Sequence, residues 1–286
     1  MREVIERFLT EQNSRKALSE ATLSAYRTDL SKLFAFLNVS REEQLKNITE
    51  TSLNSFMLHM EKDGFRPASQ RRMLCTIRRF FDYAVTQNLC NNNPSLRIHA
   101  PEGQSQSGRI LSEEELERLL KAPDICTVRG QRDRAMFELL YATGMHVKEL
   151  LACKCSQLHT ASGFVSVTTG EKNKLFPIGS DTVSIIKQYA EQARTTFLRE
   201  GSDPDLLFYN KNGEALSRQG FYKILSEYAI KLGYEDISPK CFRNSMIVHM
   251  LHHGVSYEGM RAFTGSSRLA AAEAYINRLQ TKKGSK

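Results

Sequence analysis

One tract divides this sequence and limits what it can fold into. Residues 94–111, "PSLRIHAPEGQSQSGRIL", hold few apolar residues and many Pro, Gly, Ser and Gln. Such a composition favours an extended connector over a helix or strand. On both sides apolar residues return at helical spacing. The chain is therefore predicted to form a helical block over 1–93, a linker over 94–111 and a second block over 112–286. At 286 residues it is long enough for two cores of ordinary size.

In the first block, "SEATLSAYRTDLSKLFAFLN" opens with a capping Ser19 and repeats Leu23, Tyr26, Leu30, Leu33, Phe34 and Leu37, the spacing of one helix face. A third helix closes at Gly64, a fourth starts near Pro67, and the block ends at "CNNNP". In the second block, Ser112 and Glu115 form a capping box, and helices are expected near 131–142, 146–152, 181–199, 217–232, 239–252, 256–263 and 268–278. Between them "GFVSVT", a "GEKNK" turn and "LFPIG" read as a small hairpin. The fold class is mainly α with one small β-hairpin or sheet.

Apolar runs are short and broken by charges, which excludes a membrane span. The opening "MREVIERFLTEQ" is amphipathic and carries acids, unlike a signal or transit peptide. Cysteines are scattered, and Cys153-x-Cys155 lacks zinc-site spacing. These features fit reduced thiols in a cytoplasmic protein. His249 and His253 mimic a metal pair but lack a third ligand, so neither a metal nor a cofactor is expected.

The net charge of +8 favours a polyanionic partner. Charge is concentrated in the fourth helix, where five arginines and no acid lie between Arg66 and Arg79. At 100° per residue Arg71, Arg72, Arg78 and Arg79 share one face, opposite Leu74, Ile77, Phe81 and Val85. A solvated surface would mix signs, whereas phosphate binding accounts for an all-arginine face.

Four stretches of the second block stand out: "YATGMHVKELLACKCSQL", the hairpin, "SPKCFRNSMIVHMLHHG" and "FTGSSRLAAAEAYINRL". Their order and spacing resemble the tyrosine recombinases of the Xer and phage-integrase class. The first is similar to that family's TGLRxSELLxLxxxDI stretch, the third to HxLRHxxATxLLxxG, and the fourth to LGHxxxxTTxxYxH. "YRTDLSKLFAFL" and "SQRRMLCTIRRFFDYAVTQNLCNNNP" resemble its core-binding helices.

The resemblance implies a helical core-binding domain over 1–93 and a catalytic-type domain over 112–286. The partner it implies is double-stranded DNA, enclosed between the two domains. The working form it implies is a homo-oligomer, a tetramer on DNA, or a hetero-assembly with a related recombinase. The implied chemistry is attack of a tyrosine on a DNA phosphodiester, giving a 3′-phosphotyrosyl link and a 5′-hydroxyl. Charge gathering on the non-bridging oxygens needs fixed cations, and the leaving group needs an acid.

The family uses two arginines, a hairpin lysine, two histidines and the tyrosine. Here Tyr275 stands at the nucleophile and Arg243 at the second arginine. His146 replaces the first arginine, Lys240 the first histidine and Ser266 the second. The hairpin is shorter than the family's, and a gapless match puts Glu171 at the lysine position, so Lys172 and Lys174 are both candidates.

Two functions compatible with that scaffold follow. One is site-specific recombination or integration through Tyr275, weakened by the substitutions. The other is a cleavage-silenced DNA-binding regulator or architectural partner of an active recombinase. A basic helical adaptor that binds no DNA is the third class.

Overall fold

The structure, a computed structural model, describes residues 1–99, 109–169, 172–266 and 269–283, with Thr169, Lys172 and 278–283 by backbone alone. The chain divides into two compact units, Met1–Ser105 and Gln106–Lys286. Both are mainly helical.

The first unit contains α1 (Arg2–Lys16), α2 (Glu20–Phe36), α3 (Glu50–Lys62) and α4 (Pro67–Thr86). Local chemistry sets the ends: Ser19 Oγ accepts the Thr22 N–H, Thr49 Oγ1 accepts the Ser52 N–H, and Pro67 occupies the first turn of α4. The apolar faces meet around Phe80, whose ring lies 5.5 Å from Phe8 and 5.2 Å from Phe34. Phe8, Leu30, Leu33, Ile77, Phe80 and Phe81 have no exposed surface. Burial of this kind contributes roughly 1.5–3 kcal/mol per large side chain.

Part of the stretch expected to be linker is built into the units instead. Ile98 is buried in the first core, and Ser95 donates to Asn93 Oδ1 through both N–H and hydroxyl at 2.9 and 2.6 Å. At the other end Leu111 is buried in the second core, and its N–H donates to Ser245 Oγ at 2.8 Å. Apolar residues inside a polar tract, Ile98 and Leu111, were the signal. The middle of that stretch, 100–108, lies outside the described residues.

The second unit is built around α6 (Val128–Thr143), which follows α5 (Glu113–Lys121). This helix is buried on all sides rather than along one stripe, as expected of a central helix. Phe137 sits 5.6 Å from Tyr228 and from Phe242, and 6.1 Å from Phe221. Around it are α7 (Val147–Leu151), α8 (Ser180–Gln188), α9 (Arg218–Lys231), α10 (Pro239–His252), α11 (Tyr257–Thr264) and α12 (Ala270–Lys283). The segment expected to be helical through 199 leaves α geometry at Tyr189, passing through a π turn and a 3₁₀ turn. A smaller cluster of Met246, Ile247, Met260, Leu269 and Ala272 joins α10, α11 and α12.

The expected hairpin is a three-stranded antiparallel sheet, β1 (Leu158–His159), β2 (Phe164–Thr169) and β3 (Lys172–Pro177), in sequential order. A two-residue β1 is too short to leave a periodic signal. Lys172, Asn173 and Lys174 are strand, not turn, and pair with Thr169, Thr168 and Val167. Hence strand reaches further into the "GEKNK" string than that reading assumed.

Candidate active site

The chain reaches the site through Thr143-Gly144. Gly144 ends α6 in the left-handed region, φ +58°, where a side chain is strained. A Cβ there would also stand 2.1 Å from Met246 Cε. The flexible end of Met246 would have to move aside for it, and α10 here brings Arg243 to the Gly144 carbonyl, to which its Nη1 donates. Nη2 of Arg243 donates to Ser266 Oγ at 2.8 Å and to the Thr264 carbonyl at 3.5 Å. Arg243 is half-buried, and burial lowers its pKa while Glu149 opposes the shift. An arginine stays charged even so.

His146 caps α7, and its backbone N–H donates to Glu149 Oε2 at 2.7 Å. Its ring keeps an exposed edge at the cavity wall. Loss of hydration there, and then the charge of Arg243, hold the imidazole below its ordinary pKa; Glu149 pulls it up and Lys174 down again. Near neutral pH the ring is therefore uncharged and offers at most one N–H, where a guanidinium would offer a fork.

Of the two hairpin lysines, Lys174 comes to this place. Its Nζ lies 3.4 Å from Glu149 Oε1, and its Cε would lie 3.5 Å from a Cβ on Gly265. The side chain of Lys172 lies outside the described residues. Lys240 is exposed in the first turn of α10, one turn before Arg243.

His146, Lys240, Arg243 and Ser266 line one cavity of about 620 Å³, together with Glu149, Arg218 and Tyr222. Tyr275 does not line it. That residue is half-buried on α12, and among the described residues no hydrogen-bond partner reaches its hydroxyl. Glu149 and Arg218 are functional candidates that the sequence reading passed over. Glu149 sits inside "KELL", where an acid in a first helical turn looks like ordinary dipole matching. Arg218 is the first residue of a helix recognised only by its periodicity.

Three arginines of the α4 face have partners within their own unit. Arg72 Nη1 binds Asp29 Oδ2 at 2.5 Å, a carboxylate of α2 that is 1% exposed and also accepts from Thr76 Oγ1 at 3.0 Å. Burial raises the Asp29 pKa more than Arg72 and Thr76 lower it. Arg78 Nη2 donates to the Ile98 carbonyl at 2.6 Å. Arg79 Nη1 donates to Tyr26 Oη at 2.7 Å, with the guanidinium 5.8 Å from that ring. Arg71 is half-buried. No acid lies between Arg66 and Arg79 on α4, yet the anion for Arg72 comes from α2 of the same unit.

The metal expectation changes in its residues. His249 is buried, with Nε2 donating to the Leu111 carbonyl at 2.9 Å and Nδ1 facing Tyr141 Oη at 3.0 Å. Both its nitrogens are engaged, so it does not pair with His253. Among the described residues no helix is long and apolar enough to cross a membrane.

Comparison with known proteins gives the same family at both ends of the chain. Residues 109–282 match the family model "Phage integrase family", and residues 5–88 match "Phage integrase, N-terminal SAM-like domain". The chain is 31% identical over 280 residues to the tyrosine recombinase XerD of Listeria monocytogenes, covering 97% of this chain and 94% of that one. It is 32% identical over 277 residues to the XerD of Proteus mirabilis, covering 96% and 88%. In structure it is similar to the XerH recombinase bound to a palindromic difH substrate, at TM-score 0.75 and 19% identity over 99% of this chain and 84% of that one. A lambda integrase dimer bound to a COC′ core site is similar at TM-score 0.73 and 16% identity, over 96% and 94%. With a family match across most of its length and curated relatives above 30% identity, the chain belongs to the phage integrase family of tyrosine recombinases.

Proposed function

We propose that the protein binds duplex DNA at specific sites and seats one backbone phosphate in the cavity that Arg243 lines. There it transfers a strand to Tyr275 at a rate far below that of a complete residue set. The observation that carries this reading is the convergence of Arg243, Lys240, Ser266 and His146 on one cavity, with the Lys174–Glu149 pair beside it. Non-bridging phosphate oxygens need fixed donors, and these residues supply them with two cations and a hydroxyl.

In the proposed step the Tyr275 oxygen bonds to phosphorus as the phenol proton passes to solvent or a neighbouring base. The bond from phosphorus to the 5′ oxygen breaks, and the Lys174 ammonium, held by Glu149, protonates the leaving oxygen. For Tyr275 to act, α12 must bring it to the phosphate when DNA is bound. Loss of one preorganised donor costs roughly 10²–10³ in rate, so a neutral His146 in place of a guanidinium alone predicts slow cleavage. On DNA the protein works with further copies of itself or with a related recombinase.

A second reading, the cleavage-silenced DNA-binding partner, is favoured by the uncharged His146 and by the position of Tyr275 away from the cavity lining. A nicked suicide duplex bearing the selected site separates the two. A covalent adduct that disappears in Tyr275→Phe establishes strand transfer. Tight, site-specific binding without adduct establishes the silenced partner. Failure to bind duplex DNA with a salt-dependent affinity removes both and leaves the adaptor class. The combined variant His146→Arg, Lys240→His, Ser266→His is expected to raise adduct formation on the same duplex.

A further inference from the structure

Away from the cavity, the end of α10 meets the start of α5. His252 is the last residue of α10, His253 is its C-cap, and Glu113 is the first residue of α5. One ligand-type atom from each of the three lies within 4.8 Å of the others, and all three side chains are exposed. We propose that Glu113, His252 and His253 form a binding site for a divalent transition-metal ion of the zinc, nickel or copper kind.

Three observations support the site. The donor set is two imidazoles and one carboxylate, a set that suits those metals and not magnesium or calcium, which take oxygen ligands. His253 Nδ1 donates to the His249 carbonyl at 2.8 Å, leaving the Nε2 lone pair for a metal. A backbone carbonyl behind the ring is the usual outer partner of a metal-bound histidine, because it fixes tautomer and orientation. Glu113 Oε1 lies 3.7 Å from His253 Nδ1, the nitrogen turned to the His249 carbonyl, and the two imidazoles stand 5.7 Å apart, centre to centre, at 66°, so the carboxylate has to swing toward Nε2 to share a metal with it. Ligand atoms on a tetrahedral metal at about 2.0–2.1 Å are closer together than 4.8 Å. Exposed side chains can close that difference by rotation, with no backbone shift. The position also suits a cation, since it lies at the negative end of a 14-residue helix.

A metal here ties α5 to the far end of the helix whose first turns carry Lys240 and Arg243. The inference stands apart from the proposed function, since it needs neither DNA nor cleavage.

The test is calorimetric titration of the chelator-treated full chain with Ni²⁺, in a non-coordinating buffer. One equivalent is expected to bind and to raise the melting temperature. Loss of an outer partner alone weakens metal sites by about 10–100-fold, so His252→Ala and His253→Ala are each expected to weaken binding at least that much. Glu113→Gln weakens it too. Co²⁺ bound in place of Ni²⁺ is expected to lack the near-ultraviolet band of a thiolate ligand. Undiminished binding in the histidine variants, a thiolate band, or no saturable binding overturns the site. An equal rise in melting temperature with Mg²⁺ overturns the ligand class.

Discussion

Replacing Glu149 by Gln separates what holds the cavity together from what attracts DNA to it. The carboxylate does two jobs: Oε2 accepts the His146 N–H at 2.7 Å and Oε1 faces Lys174 Nζ at 3.4 Å. At 3.4 Å and an effective dielectric near 20, the ion pair attracts by about 5 kcal/mol before desolvation. Most of that is offset, because the glutamate side chain is only 9% exposed and the lysine 28%. Removing one partner of a fully buried pair costs about 3–5 kcal/mol. Partial exposure of Lys174 and the glutamine's ability to keep the cap reduce this to about 1–3 kcal/mol. The same change removes the negative charge closest to the lysine beside the cavity, so affinity for a phosphate rises. The expected outcome is opposite signs: a lower urea midpoint for the full chain, and an equal or tighter dissociation constant for duplex DNA by fluorescence anisotropy at fixed salt. A lower midpoint with weaker DNA binding, or an unchanged midpoint, refutes the reasoning.

Gly144→Ala is expected to cost about 1–2 kcal/mol, mainly from left-handed backbone strain, read as a shift in urea midpoint. Arg72→Ala strands the buried Asp29 and is expected to destabilise by about 1–3 kcal/mol. Adding Asp29→Asn to it should recover stability, whereas a purely DNA-facing Arg72 would show neither effect. Burial lowers the pKa of both His146 and His249. The unfolded chain therefore binds protons first as pH falls below about 6.5, and stability drops across that range down to the folded values. Thermal melts between pH 7.5 and 5 check this, and His249→Gln should flatten the slope.

The helices were legible because their caps and periodicity are local: Ser19, Pro67 and the Ser112/Glu115 box each act within one turn. What could not be read depends on contacts distant in sequence. Nothing near Arg72 announces Asp29, and nothing near Arg243 announces the Gly144 and Thr264 carbonyls. Which hairpin lysine comes near Glu149 depends on where strand β3 begins, which two lysines either side of Asn173 in a turn-like string do not reveal. The family motifs located the cavity residues, but Glu149 entered as one more acid at a helix start. Its pairing with a strand lysine appears only once the sheet is folded against α7 and Gly265.

Arg243 donates to carbonyls at the C-terminal ends of two helices, Gly144 after α6 and Thr264 of α11. It neutralises the negative poles of both and joins them to α10. A chain drifting away from DNA cleavage would therefore shed its catalytic groups unevenly. An exposed group such as that at 146 can change at smaller structural cost, while the arginine at 243 is retained for the fold as well. Its presence is thus poor testimony that cleavage survives. In surveys of such diverged proteins, the residues that tie nothing together are the better witnesses of lost or living chemistry.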